Sequence, residues 1–291
     1  MSVYQKSYHL PEFDYSSYQK ISVERWKSGP IYICTFNDPE NLNAMSYLQM
    51  SEFNDFLKRV RYDHECRVII LTGAGRSFCA GFNLNDLTLD PPDDMGRVQR
   101  DFYLMQRMCS DQIINMRACE QPIIGALKGY AVGGGMSLSC ACDLRILGES
   151  YKMNAGYLAI GYSGTDMGGS YYLPKIVGYA RAAEIMMTAR RFTAEQLGQW
   201  GFANKVVPDE EVLPAALELA EEIVTHTSPF GLRLTKECLQ ASMDGSSFDA
   251  QVKLENRNQV LAANTQDGLD GVLHMRDRKS ASRKPLVFAN K

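Results

Sequence analysis

The chain is poor in the residues that build metal sites and membrane anchors. Its four histidines, His9, His64, His226 and His274, are widely dispersed. That argues against a metal cluster and against a histidine paired with a nucleophilic serine or cysteine. No apolar run approaches the roughly 18 residues of a membrane-spanning helix. Neither sign of charge dominates: the formal net charge is −3, with 22% charged residues. Nucleic acid would find no basic footprint here, and no Lys/Arg block is long enough to act as a tail. Low-complexity tracts are missing as well. Segment 1–20 lacks the apolar centre of a secretory signal, and Glu12 and Asp14 speak against a transit peptide. The closing Phe-Ala-Asn-Lys is not a peroxisomal address.

What is present is an ordinary globular composition, 45% apolar over 291 residues, long enough for one domain or two. Eight cysteines (Cys34, Cys66, Cys79, Cys109, Cys119, Cys140, Cys142, Cys238) show no paired metal-ligand spacing, and several sit within apolar segments. Buried thiols in a reducing compartment, hence a cytoplasmic protein, are the expectation.

The densest signal runs from Gln121 to Arg145. A short apolar run, Pro122 to Leu127, suits a buried strand; Gly129 and the triplet Gly133-Gly134-Gly135 follow, then a helix-like segment from Met136 to Cys142. Bare N–H groups at a helix start stabilise a developing anion, and glycine lets a ligand approach the backbone closely. The same residues also suit a tight turn with no ligand, and the pattern alone does not separate the two. A second glycine segment, Gly75 to Leu84 (GRSFCAGFNL), follows the strand-like Arg67 to Gly73.

Together these two segments resemble the crotonase (enoyl-CoA hydratase/isomerase) superfamily, whose members act on acyl-CoA thioesters. The resemblance extends from about Ile21 to Lys284. It implies an α/β fold, a crotonase-like spiral of repeated β-β-α units followed by a helical C-terminal subdomain. The implied organisation is an extension at 1–20, a core carrying the CoA-thioester site at 21–210, and a helical oligomerisation subdomain at 211–291. It also implies an oxyanion hole formed by the N–H groups of Ala80 and Gly134. Phe82, Ser137 and Tyr157 fall in the implied substrate pocket. The implied partner is an acyl-CoA thioester, with coenzyme A as part of the substrate, no separate cofactor, no metal, no nucleic acid and no membrane. A homotrimer or a dimer of trimers is the implied assembly.

The order of elements follows from periodicity and turn residues. A hairpin is expected over Ile21–Trp26 and Ile31–Phe36, turning at Gly29-Pro30. Ser46 fits as the cap of a helix over Tyr47–Tyr62 that buries Leu48, Phe53, Phe56, Leu57 and Val60. Asn83–Met95 reads as a loop, and Arg97–Cys119 as a helix with Phe102, Leu104, Met105, Met108, Ile113 and Met116 available for burial. Further helices are expected over Glu211–Thr225, Pro229–Met243, Ser247–Asn264 and Gln266–Arg278.

The resemblance then narrows the chemistry. Hydratases of the family carry two glutamates that activate water; here those positions hold Ser137 and Tyr157, neither of them a carboxylate. A carboxylate remains at Asp166, in Gly164-Thr-Asp-Met-Gly-Gly169. Double-bond isomerases of the family place an acid there, and in the chlorobenzoyl-CoA dehalogenase branch the aspartate is a nucleophile. The segment is especially similar to the phenylacetate-pathway ring isomerase. The resulting expectation is an acyl-CoA double-bond isomerase with Asp166 as base. The alternatives are a hydratase, a hydrolase or dehalogenase with Asp166 as nucleophile, and a non-catalytic CoA-thioester binding protein. Without the resemblance, Asp166 reads as the cap of a helix beginning near Met167. Ser137 and Tyr157 likewise have structural readings, as a hydroxyl satisfying a backbone carbonyl and as a bonded pocket wall. Asp38 and Glu40 stand where many relatives have a basic residue for CoA phosphate. Arg276, Arg278, Lys279, Arg283 and Lys284 are the candidate replacements, with a solvated tail as the alternative.

Overall fold

Strand β1 (Ile21–Arg25) and strand β2 (Ile31–Phe36) form the expected antiparallel hairpin in a computed structural model that describes residues 13–86, 96–276 and 287–288. Helix α1 (Tyr47–Val60) follows, with the Ser46 hydroxyl accepting from the Gln49 N–H at its start. It buries Met50, Phe53, Phe56, Leu57 and Val60, whereas Leu48 stays 42% exposed. Leu48 is one position off the buried stripe, so helical spacing turns it outward. Strand β3 (Val68–Gly73) then leads into the first glycine segment.

The expected long helix after residue 96 is a composite. Helix α2 (Arg97–Arg100) runs into a π-helical turn, Asp101–Gln106, and then helix α3 (Arg107–Ala118). Ile113 and Met116 are buried as expected, but Phe102 is 59% exposed because the wide turn interrupts the buried stripe. Next come β4 (Ile123–Leu127), β5 (Tyr130–Val132), α4 (Gly134–Ala141), β6 (Leu144–Gly148) and β7 (Lys152–Asn154). The chain continues through α5 (Gly169–Val177), α6 (Tyr179–Thr188), β8 (Phe192–Thr193), α7 (Ala194–Gln199) and β9 (Lys205–Val207). It closes with α8 (Val212–His226), α9 (Pro229–Met243), α10 (Phe248–Ala263) and α11 (Gln266–Arg276). The capping box of α7 pairs Thr193 with Gln196.

Two sheets give the spiral its layers. The larger has the order β1-β2-β3-β4-β6-β9, parallel throughout except for the first pair. The smaller has the order β5-β7-β8. From β4 to β7 the chain alternates between them, with β4 and β6 in the first sheet and β5 and β7 in the second. Alternation along the strands splits the core. Tyr32, Cys34, Phe36, Ile69, Leu71, Ile123 and Leu127 join the cluster that includes α1, α3 and α4, where the site lies. Ile31, Ile33, Val68, Ile70, Ile124, Ala126 and Ile146 face α8, whose Ala215, Ala216, Leu217 and Ala220 cover the opposite side. The helical region expected from residue 211 thus begins with a helix packed on the sheet. Asp143 joins α9 to it, accepting from the Ile123 N–H at 2.8 Å and from Lys236 at 2.7 Å.

All eight cysteines are free, seven of them buried. No helix among the described residues is long and apolar enough to cross a membrane, and no His/Cys/Asp/Glu group there could hold a metal. Most of the expected 1–20 extension, most of the loop expected to end at Met95, and the basic residues from Arg278 to Lys284 lie outside the described residues.

One fully buried side chain holds the strand-to-helix connection beside the first glycine segment. Asn43 accepts from the Asp38 N–H at 2.9 Å and donates to the carbonyls of Ala74 (2.9 Å) and Ser77 (2.8 Å). Leu42 and Asn43 are both left-handed, each with φ 54°. Asn43→Ala strips three partners at once, so stability should fall by about 3 kcal/mol in urea unfolding. Asn43→Asp tolerates the left-handed backbone and keeps the acceptor, but it sets a buried carboxylate oxygen against those two carbonyls, so at neutral pH it should lose at least as much.

Candidate active site

Backbone contact between the two glycine segments builds the site. The Cys79 N–H donates to the Tyr130 carbonyl and the Val132 N–H to the Cys79 carbonyl, each at 3.0 Å. A Cβ on Gly135 would stand 2.2 Å from the Cys79 oxygen, and one on Gly81 2.6 Å from the Val132 oxygen. Only glycine permits this approach. It sets Ala80 beside the first turn of α4, whose cap Gly133 has φ 53°. Met45 completes the wall: a Cβ on Gly134 would meet its methyl at 2.2 Å.

A cavity of about 230 Å³ opens there. Ala80, Phe82, Gly134, Tyr157 and Asp166 all line it, bringing together five of the six residues singled out above. Ser137 does not line it. It is fully buried behind the wall, with its hydroxyl committed on both sides. The rest of the lining is mostly apolar, including Met45, Leu84, Met105, Ile160 and Met167. Among the described lining residues Asp166 is the single carboxylate.

The two expected donors differ. The Gly134 N–H meets no acceptor among the described residues, as suits the first residue of a helix. The Ala80 N–H donates to the Leu42 carbonyl at 3.1 Å. That acceptor was not foreseen: it depends on the left-handed turn at Leu42, which no glycine announces.

Asp166 does not cap a helix. Helix α5 starts at Gly169 with Gly168 as its cap, and Asp166 turns into the cavity, half-buried. Its Oδ1 accepts from the Met167 N–H at 2.7 Å and from the Gln106 side chain at 2.5 Å. Burial raises its pKa above the ordinary carboxylate value, and those two donors partly offset the rise. Gln106 was missed at the sequence level because only the π-helical turn aims it here.

Behind the wall, the Ser137 hydroxyl donates to the Asp166 carbonyl at 2.9 Å and lies 3.1 Å from the Tyr157 hydroxyl. A carbonyl only accepts, so the single Ser137 proton goes to it and Tyr157 donates to Ser137. Burial, and then the neighbouring Asp166 charge, hold the Tyr157 phenol well above its usual range. The Cys109 thiol is pushed up to about 12, chiefly by burial. At neutral pH both are uncharged.

Comparison with known proteins identifies the family. Residues 27–281 match the family described as enoyl-CoA hydratase/isomerase. The chain is 34% identical over 241 residues to the probable enoyl-CoA hydratase EchA12 of Mycobacterium tuberculosis, covering 81% of this chain and 84% of that one. It is also 34% identical over 243 residues to the 1,2-epoxyphenylacetyl-CoA isomerase of Escherichia coli, covering 82% and 88%. The crystal structure of a probable enoyl-CoA hydratase/isomerase from Mycobacterium abscessus superposes with a TM-score of 0.84 at 26% identity, covering 94% of this chain and all of that one.

Because the folded protein holds the Asp166 proton more tightly than the unfolded chain, stability declines as pH rises through the elevated pKa. The whole penalty is then present at neutral pH. Asp166→Asn removes it, so the variant should unfold at higher urea than the parent at pH about 7. The gap should close below about pH 4, where the carboxyl is protonated in both states.

Proposed function

The chain belongs to the enoyl-CoA hydratase/isomerase family, and on that premise we propose that it is an acyl-CoA double-bond isomerase using Asp166 as its proton carrier. The observation that carries this reading is that, among the described residues, Asp166 is the single carboxylate lining a mostly apolar cavity, beside a Gly134 N–H that meets no acceptor there. The two positions where hydratases of the family hold glutamates carry hydroxyls already bonded to one another and to backbone.

The thioester carbonyl acidifies the carbon next to it. Asp166 takes a proton from that carbon, and the C–H pair moves into a conjugated dienolate whose charge gathers on the thioester oxygen. The Gly134 N–H at the start of α4 meets that charge. The Ala80 N–H joins it by sharing its proton between the Leu42 carbonyl and the thioester oxygen. Asp166 then returns the proton farther along the acyl chain, and the double bond has shifted. Every atom of the substrate is kept, and the step uses no cofactor beyond the coenzyme A that the substrate carries. A mostly apolar wall favours this chemistry by limiting water around the dienolate.

The name carried by the mycobacterial relative favours hydration as a second reading. Hydration needs water held between groups able to take and give a proton, and here Tyr157 and Ser137 have both protons engaged. Turnover in oxygen-18 water separates the two, and isomerisation leaves the product unlabelled.

Asp166→Asn tests the base directly. Exchange of the proton beside the thioester into deuterated water, followed by NMR on a bound enoyl-CoA, should fall about a thousandfold. Exchange at the parental rate would defeat the proposal.

A further inference from the structure

Gln106 reaches Asp166 from a part of the chain that neither the glycine segments nor the acid itself predicts. It closes the π-helical turn Asp101–Gln106 between α2 and α3 and lines the same cavity. Its Nε2 donates to Asp166 Oδ1 at 2.5 Å, and the Met167 N–H donates to that same oxygen at 2.7 Å. Asp166 Oδ2 has no hydrogen-bond partner among the described residues. The two carboxylate oxygens are therefore unequal. One is pinned by two donors on the wall; the other has its lone pairs unclaimed.

We propose that Gln106 is a positioning residue that fixes the Asp166 carboxylate so that Oδ2 alone carries the substrate proton. This rests on Asp166 as the base and adds which of its oxygens acts and what holds it. The backbone of Asp166 is anchored separately, through its carbonyl, by Ser137 and by the Gly169 N–H at 2.9 Å each. Without Gln106 that anchor still holds the main chain, but the Met167 N–H is left as the one donor steadying the carboxylate. The carboxylate can then rotate about its own axis and present either oxygen.

A π-helical turn is a reasonable source for such a residue. One extra residue in the turn breaks the regular stripe, as the exposed Phe102 shows, and lets a side chain from an α2–α3 position enter the cavity. Gln106 is also uncharged. A basic residue at that position would form an ion pair and depress the pKa of Asp166, weakening it as a base. An amide supplies a donor without the charge.

When Oδ2 takes the proton and returns it, the same atom is moved from one carbon to the other. With deuterium beside the thioester, a measurable share of the label should appear at the new position in ordinary water. Carboxylate rotation would expose the proton to exchange and lower that share.

Gln106→Met keeps the volume and removes the donor. It should move the acid limb of kcat/KM to higher pH, because the ionised carboxylate loses a stabilising bond. It should also cut kcat roughly tenfold or more with KM changed less than about twofold, and reduce label transfer. Gln106→Glu should move the acid limb further still, since two acids then share the wall. Carbon-13 NMR of aspartate-labelled protein, with the Asp166 signal identified by its loss in Asp166→Asn, reads the same upward shift without turnover. An unmoved Asp166 titration in Gln106→Met, or a drop in rate with the acid limb and label transfer unchanged, overturns the assignment of Gln106. Parental proton exchange in Asp166→Asn overturns the base itself, so the two failures remain distinct.

Discussion

Everything at the site depends on two stretches of main chain lying closer than side chains allow. Cys79–Gly81 and Val132–Gly135 touch backbone to backbone, and the missing Cβ atoms of Gly81 and Gly135 are the condition for that contact. The parallel sheet brings β3 and β4 side by side, and their following segments then meet through the Cys79–Ala131 bridge. The start of α4 is thereby fixed against the first glycine segment. A donor placed in this way does not need to reorganise when charge appears on a bound oxygen, and electrostatic stabilisation depends on that.

The same closeness creates a problem that the structure solves locally. A buried N–H without a partner costs free energy, and two convergent donors awaiting a ligand would both be in that state. Gly134 escapes because the first N–H groups of any helix lack intrahelical partners and here face the cavity. Ala80 is instead satisfied by the Leu42 carbonyl. Holding that carbonyl in place requires two successive left-handed residues without a glycine, a conformation costing on the order of 1–3 kcal/mol per residue. The three hydrogen bonds of the Asn43 side chain offset that strain. Asn43 therefore supports the site without facing it.

This division explains which parts were legible from the residues alone. The glycine segments stood out because a bare Cα is rare and its uses are few, and strand and helix periods located nearly all the elements around them. Asp166 stood out only through the family resemblance, since its neighbours alone read as the start of a helix with the acid as cap. Gln106 and Leu42 did not, and for a common reason: each acts through a backbone geometry that its own side chain does not encode. A glutamine in a helical stretch gives no sign that the helix widens there, and a leucine gives no sign of a positive φ. Ser137 was legible as a hydroxyl with a carbonyl to satisfy, but which carbonyl depends on how α4 and the Asp166 segment pack. Leu48 and Phe102 erred toward burial because a regular helical stripe was extended past the point where the chain keeps it.

On the proposed reading, the proton inventory around the cavity is what confines the chemistry to one atom. The Tyr157 proton is spent on Ser137, the Ser137 proton on the Asp166 carbonyl, and the Cys109 thiol is too weak an acid to ionise near neutrality. Each of these groups is polar, yet none can accept the substrate's proton without giving up a bond in a buried setting. Burial raises Asp166 as a base, while two hydrogen bonds on a single oxygen keep it ionised enough to act. These opposing effects fall on the same side chain, so its basicity is set by the balance between an apolar wall and two donors. Strengthening either side would move the acid away from the range in which it can both take a proton and return it.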